Sequence, residues 1–121
     1  MKNYILVVDD EADIRDLLAQ YLSSHGYRVT TVATAVEAQR AVQQERPDLV
    51  ISDLQLEDSD GLDMIADLKK ILPNTPMMLL TGVLFDPEVV RDTLSTKVSC
   101  YLEKTAPLSR VLENVQRLLV R

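Results

Sequence analysis

Acidic residues follow two strongly apolar segments of the chain, at the point where each segment ends. Asp9 and Asp10 come directly after Tyr4–Val8, and Asp53 follows Leu49–Ser52. Segments this apolar are typical of strands buried in a sheet that is covered on both faces. At the carboxyl ends of such strands, where open α/β sheets form their sites, three carboxylates would repel one another and resist loss of water. A cation is therefore expected between them.

The composition indicates one acidic globular domain over residues 1–121. An apolar content of 46% is typical of a folded chain, and this length suffices for a hydrophobic core without disulfides. The net charge of −6 argues against intrinsic nucleic-acid binding, which requires a basic face. No membrane span or signal peptide is recognised, and the expected location is cytoplasmic. The single Cys100 is expected to be a buried structural thiol.

Five predicted strands alternate with five predicted helices, which indicates a parallel sheet with crossover helices. The strands are predicted over residues 4–8, 28–32, 49–52, 77–80 and 100–104. The helices are predicted after Asp10, after Thr34, from Gly61, from Asp86 and from Leu108. The usual strand order for five such units is 2-1-3-4-5, a flavodoxin-like doubly wound α/β fold. This order brings Asp9, Asp10 and Asp53 to one crevice.

Further polar residues lie at the ends of the last two strands. Thr81 follows the fourth strand, and Tyr101 and Lys104 lie on the fifth. Each candidate has an ordinary structural explanation: Asp9 and Asp10 could cap the first helix, and Lys104 could simply lie in solvent. Similarly, Asp53 could be a turn residue, Thr81 a β-former and Tyr101 a core aromatic. Their joint occurrence at one edge of one sheet favours a common site.

Together these residues resemble the pattern of a two-component response-regulator receiver domain, over the whole chain. The matching residues are Asp9, Asp10, Asp53, Gly61, Thr81, Tyr101 and Lys104. The resemblance implies that Asp53 accepts a phosphoryl group from a phosphohistidine on a sensor histidine kinase or phosphotransfer protein. It also implies a Mg²⁺ (or Mn²⁺) ion, held by Asp9, Asp10, Asp53 and the backbone carbonyl of Gln55. This ion and Lys104 would balance the charge of the three acids.

The same resemblance assigns a switch to the last two strands. Lys104 would pair first with the Asp53 carboxylate and then with a phosphoryl oxygen, while Thr81 donates its hydroxyl to another. Movement of Thr81 would let Tyr101 turn inward and change the surface of the fourth helix, fifth strand and fifth helix. A homodimer could form there, and an output domain or target protein is expected outside this chain. The domain is not a conventional enzyme, but would catalyse its own phosphotransfer and dephosphorylation.

Two departures from the family pattern affect the loops of the site. Thr105 stands where the family usually has proline, often after a cis peptide bond. A cis bond before a non-proline residue costs roughly 2.5–4 kcal/mol, so a trans Lys104–Thr105 bond and a reshaped loop are predicted. Glu57 replaces a common proline, and Asp58 and Asp60 add acids beside the site. These acids could repel an anionic donor or could face water, and the second is favoured.

Three other functions are considered. A phosphorylation-independent pseudo-receiver would bind a partner, but need not retain the acids, Thr81 and Lys104. A flavodoxin-like electron carrier needs a phosphate-cradling loop after the first strand, and Asp9-Asp10-Glu11 has the wrong charge for a flavin phosphate. A metal-dependent phosphohydrolase usually has a second acid two residues beyond its nucleophile, where this chain has Gln55.

Overall fold

The computed structural model describes residues 3–53, 56, 58, 61–82 and 98–120. The strands are β1 (Tyr4–Val8), β2 (Arg28–Val32), β3 (Leu49–Ser52), β4 (Met77–Thr81) and β5 (Cys100–Glu103). The helices of the described residues are α1 (Ala12–Ser24), α2 (Ala35–Gln44), α3 (Gly61–Ile71) and α4 (Leu108–Leu119). The helix predicted from Asp86 lies outside the described residues, so α4 is the fifth predicted helix.

The sheet has the predicted order and direction. Its strands are all parallel and lie in the order β2-β1-β3-β4-β5. Val8 is the register partner of Ser52, and the Asp53 amide donates to the Val8 carbonyl at 3.0 Å. The carboxyl ends of β1 and β3 are therefore level, and the residues that follow them are neighbours.

The strands are buried because helices cover both faces of the sheet. Along β1, Leu6 and Val8 join one core cluster with α2 and α3, whereas Ile5 and Val7 join a second cluster with α1 and α4. This explains why β1 is apolar at every position instead of alternating. No helix among the described residues is long and apolar enough to cross a membrane.

The fifth strand and its cysteine differ slightly from expectation. β5 ends at Glu103 rather than Lys104, because the Ala106 amide donates to the Glu103 carbonyl at 3.0 Å and the chain turns there. Cys100 is only partly buried, and its Sγ donates to Asn114 Oδ1 at 3.3 Å. Burial raises the pKa of this thiol, which is consistent with a structural role.

The first turn of α2 is capped by residues from two parts of the chain. Thr34 Oγ1 accepts from the Glu37 amide at 3.1 Å, as a capping box predicts. Glu37 instead accepts from the Ala33 amide at 3.3 Å. Asp58, in the loop after β3, accepts from the amides of Ala35 at 2.9 Å and Val36 at 3.2 Å.

Asp58 is thus a capping residue, a role that differs from both expected ones. Its side chain is exposed, but its carboxylate is bonded to the first turn of α2. The bond from the Ala35 amide, with that from Val36, lowers the pKa of Asp58. The contact joins the loop that follows Asp53 to the first turn of α2.

We expect Asp58→Ala to lower the urea midpoint of unfolding at neutral pH by an amount similar to Thr34→Ala, since both remove an acceptor from α2. Because the folded pKa is lowered from 3.8, the ionised contribution is complete above this value. It is lost as the pH falls through the folded pKa. Urea titrations at neutral pH and in steps below pH 3.8 measure the change.

The control is Asp58→Asn, which keeps one acceptor oxygen and should retain most of the midpoint. If Asp58→Asn lowered the urea midpoint as much as Asp58→Ala, capping by the carboxylate oxygens would be contradicted. If the difference in urea midpoint between wild type and Asp58→Ala stayed the same in acid, the contribution assigned to the ionised Asp58 carboxylate would be contradicted.

Candidate functional site

Four acids among the described residues meet at the carboxyl edge of the sheet. Asp9 and Asp53 directly follow β1 and β3 and are only 2% and 6% exposed, whereas Asp10 and Glu11 are exposed. One carboxylate oxygen from each of the four residues lies within 4.8 Å of the others. Buried carboxylates this close require a compensating positive charge. The oxygen donors fit a hard divalent cation.

Lys104 supplies one such charge. Its Nζ donates to Asp53 Oδ2 at 2.9 Å and to Glu11 Oε1 at 2.8 Å, and it lies 3.0 Å from Asp9 Oδ2. Burial alone would lower the pKa of Lys104, but its bonds to Glu11, Asp53 and Asp9 outweigh this effect and raise it. The lysine therefore remains charged, and its three donors are all directed at carboxylates.

Asp9 is held from both its side chain and its backbone. Its Oδ1 accepts from the Glu11 amide at 2.9 Å, and its carbonyl oxygen accepts from Arg15 Nη1 at 2.7 Å. Burial raises the pKa of Asp9, despite the opposing bonds from Glu11 and Lys104. The idea that Asp10 caps α1 is wrong, because the N-cap position belongs to Glu11, whose side chain makes no capping bond.

The structure describes only some of the remaining predicted site residues. Gln55 lies outside the described residues, as does the side chain of Thr81, whose backbone ends β4 opposite Glu103. Tyr101 lies on β5, partly buried against the core cluster beneath α2 and α3. The roles of Gln55, Thr81 and Tyr101 therefore stay predictions.

The loop after β5 keeps the lysine in place without proline. The Lys104–Thr105 bond is trans, as predicted. Thr105 Oγ1 lies 3.4 Å from Glu103 Oε2, at the outer limit of a hydrogen bond. Lys104 nevertheless contacts Asp53 directly, so the substitution at Thr105 does not separate the two residues.

Sequence reasoning missed two contacts of this site. It counted three acids, whereas Glu11 is a fourth and binds Lys104 directly. The available signal was that Glu11 immediately follows the acid pair Asp9-Asp10. The bond from Arg15 to the Asp9 carbonyl was also missed, and its only signal was a basic residue one turn into α1.

The fold and the site define a doubly wound α/β domain with an acidic pocket that binds Lys104 at the carboxyl edge of its sheet. Over residues 5–116 the chain matches the family described as the response regulator receiver domain. The chain belongs to this family, as the sequence resemblance predicts. Two-component signalling is therefore its class of function, in place of electron transfer or phosphohydrolysis.

Relatives of known name support the same family. The transcriptional regulatory protein GlrR of Escherichia coli K12 is 37% identical over 90 residues, which are 74% of this chain and 20% of that protein. The response regulator VraR of Staphylococcus saprophyticus is 31% identical over 116 residues, 93% of this chain and 54% of that protein. The chain thus spans about a fifth of the first relative and about half of the second.

Solved structures confirm the fold. The BeF3-activated receiver domain of Klebsiella pneumoniae RstA has a TM-score of 0.89 at 29% identity, covering 98% of this chain and 100% of that one. The chemotaxis response regulator CheY4 of Vibrio cholerae has a TM-score of 0.90 at 27% identity, with the same coverages. The NtrX receiver domain of Brucella abortus is 34% identical with a TM-score of 0.87, covering 95% and 97%.

Proposed function

We propose that this receiver domain accepts a phosphoryl group on the carboxylate of Asp53, within a phosphorelay that begins at a sensor histidine kinase. The supporting observation is the pairing of two buried groups at the carboxyl edge of the sheet. The side chains of Asp53 and Lys104 are 8% and 11% exposed, and their charged atoms lie 2.9 Å apart. A carboxylate nucleophile beside a fixed cation suits the transfer of an anionic group.

In the proposed step, an oxygen of Asp53 forms a bond to phosphorus while the phosphorus–nitrogen bond of the donor phosphohistidine breaks. The imidazole leaves and takes up a proton from solvent, and Asp53 becomes an acyl phosphate. Lys104 offsets the charge on the phosphoryl oxygens as they arrive, and the Thr81 hydroxyl donates to one of them. Later attack by water on the acyl phosphate returns the carboxylate and releases inorganic phosphate.

The acid cluster would hold a magnesium ion (or manganese). The proposed ligands are Asp9, Asp10, Asp53 and the backbone carbonyl of Gln55. When bound, the ion neutralises negative charge on the transferring phosphoryl group. The Glu11 amide, which donates to Asp9 Oδ1, would orient this carboxylate for that role, and Arg15 fixes the backbone carbonyl of the same residue.

The proposed output is a change of surface. The phosphoryl group carries about −1.5 to −2 charges in place of the −1 of the Asp53 carboxylate. This charge draws the Thr81 hydroxyl inward, is bound by Lys104, and shifts the populations of two conformations of Tyr101. The fourth predicted helix, β5 and α4 would carry this change to a homodimer partner, an output domain or a target protein. We place these events in the cytoplasm.

The test uses acetyl phosphate as the donor with wild-type protein and Mg²⁺. Intact-mass spectrometry should show a gain of one phosphoryl group, which EDTA prevents. Calorimetry should detect Mg²⁺ binding at the acid cluster. A protein that shows neither result, and no spectral change with beryllofluoride, is a pseudo-receiver that binds partners without phosphorylation.

A further inference from the structure

Glu11 differs from the other two carboxylates that bind Lys104. Its side chain is 60% exposed, whereas those of Asp9 and Asp53 are 3% and 8% exposed. It is also not among the proposed ligands or the phosphoacceptor. The lysine nevertheless lies as close to Glu11, at 2.8 Å, as to Asp53, at 2.9 Å. Glu11 thus occupies a donor of Lys104 but has no role in the proposed transfer step.

This contact has a consequence for phosphoryl loading. An ammonium group has three donors, and in this structure they serve three carboxylates. Incoming phosphoryl oxygens require donors from the same nitrogen. In addition, an oxygen of Glu11 lies within 4.8 Å of one of Asp53, so its charge repels the charge that phosphorylation adds. Both effects favour the unphosphorylated domain.

We propose that Glu11 restrains Lys104 in the unphosphorylated domain and opposes loading of Asp53 until the lysine leaves it. This inference rests on the proposed phosphorylation of Asp53. Glu11 is a positioning residue here, since it acts through Lys104. The ion pair is partly exposed, so its effect on affinity is modest.

The experiment compares wild type with Glu11→Gln, Glu11→Asp and Asp13→Asn. Aspartate keeps the charge but is one methylene shorter, and Asp13 is an exposed acid in the first turn of α1 that serves as the matched control. In metal-free protein, NMR measures hydrogen exchange of the Lys104 ammonium. With saturating Mg²⁺, a fluorescence or calorimetric titration measures the affinity for beryllofluoride.

We expect both Glu11 variants to accelerate ammonium exchange, because glutamine is an uncharged and weaker acceptor and aspartate is one methylene shorter. Glu11→Gln should bind beryllofluoride about two- to fivefold more tightly than wild type, the range of a partly exposed ion pair. Glu11→Asp should show a smaller gain, since it keeps the repulsive charge. Asp13→Asn should match wild type in both measurements.

Equal or weaker beryllofluoride binding by Glu11→Gln would overturn the inference, and so would an equal gain in Asp13→Asn. Unchanged ammonium exchange in both Glu11 variants would also overturn it. If the wild-type protein itself fails to bind beryllofluoride, the proposed phosphorylation fails and this inference fails with it. If the wild type binds beryllofluoride but the Glu11 variants do not behave as expected, only the restraint by Glu11 is refuted, and the proposed phosphorylation of Asp53 is not.

Discussion

Asp53→Asn should take up no phosphoryl group from acetyl phosphate and Mg²⁺ under conditions that phosphorylate the wild type. The amide that replaces the carboxylate is nearly the same size but cannot form an acyl phosphate. Because Lys104 keeps its contacts with Asp9 and Glu11, the variant should remain folded. Intact-mass spectrometry measures the loss of phosphorylation, and circular dichroism checks the fold.

The matched control for this variant is Asp63→Asn, which removes an exposed acid from the first turn of α3. It should be phosphorylated like the wild type. If Asp53→Asn still gains a phosphoryl group, the acceptor is another residue, and peptide mapping would reveal whether it is Asp9 or Asp10. That result would contradict the proposed role of Asp53.

Lys104→Met should lower both stability and reactivity. Removing one partner of a buried ion pair leaves Asp9 and Asp53 uncompensated, so the free energy of unfolding in metal-free buffer should fall by about 3 kcal/mol. The rate of phosphorylation by acetyl phosphate should fall by about a hundredfold, as when one transition-state donor is removed. Urea unfolding and timed mass spectrometry measure the two changes.

Magnesium should partly rescue the stability of this variant. The ion brings positive charge to acids that have lost their lysine, so it should stabilise Lys104→Met more than wild type. Lys70→Met is the control, since Lys70 is 81% exposed and lies 3.9 Å from Asp67. Its stability should change by less than about 0.5 kcal/mol, with or without the ion. Equal stabilisation of both variants by Mg²⁺ would contradict the charge argument.

The strands and their order were predictable because burial leaves a strong local signal. Residues buried on both faces, as in β1 and all of β3 except Ser52, are apolar, and parallel crossovers then permit few arrangements. The same logic brought Asp9 and Asp53 together, since both directly follow buried strands. The pairing of Asp53 with Lys104, predicted at the end of the fifth strand, came from the family resemblance, and the structure places Lys104 Nζ 2.9 Å from Asp53 Oδ2.

The contacts that were missed join residues distant in sequence through flexible polar side chains. Asp58 binds an amide of Ala35, 23 positions earlier, and Glu11 meets Lys104 across 93 positions. No period or spacing encodes such contacts, because they depend on where a loop passes a neighbouring element. Charge counting alone therefore underestimated the acids at the pocket.

The carboxylate of Asp58 also occupies backbone amides that could otherwise bind a free anion. A helix N-terminus with unoccupied amides attracts phosphate or sulfate. α2 starts beside the end of β2, near the acid pocket, but its first amides already bind Asp58 and Thr34. A phosphate ion from solution would therefore have to displace these side chains before it could bind the first turn of α2.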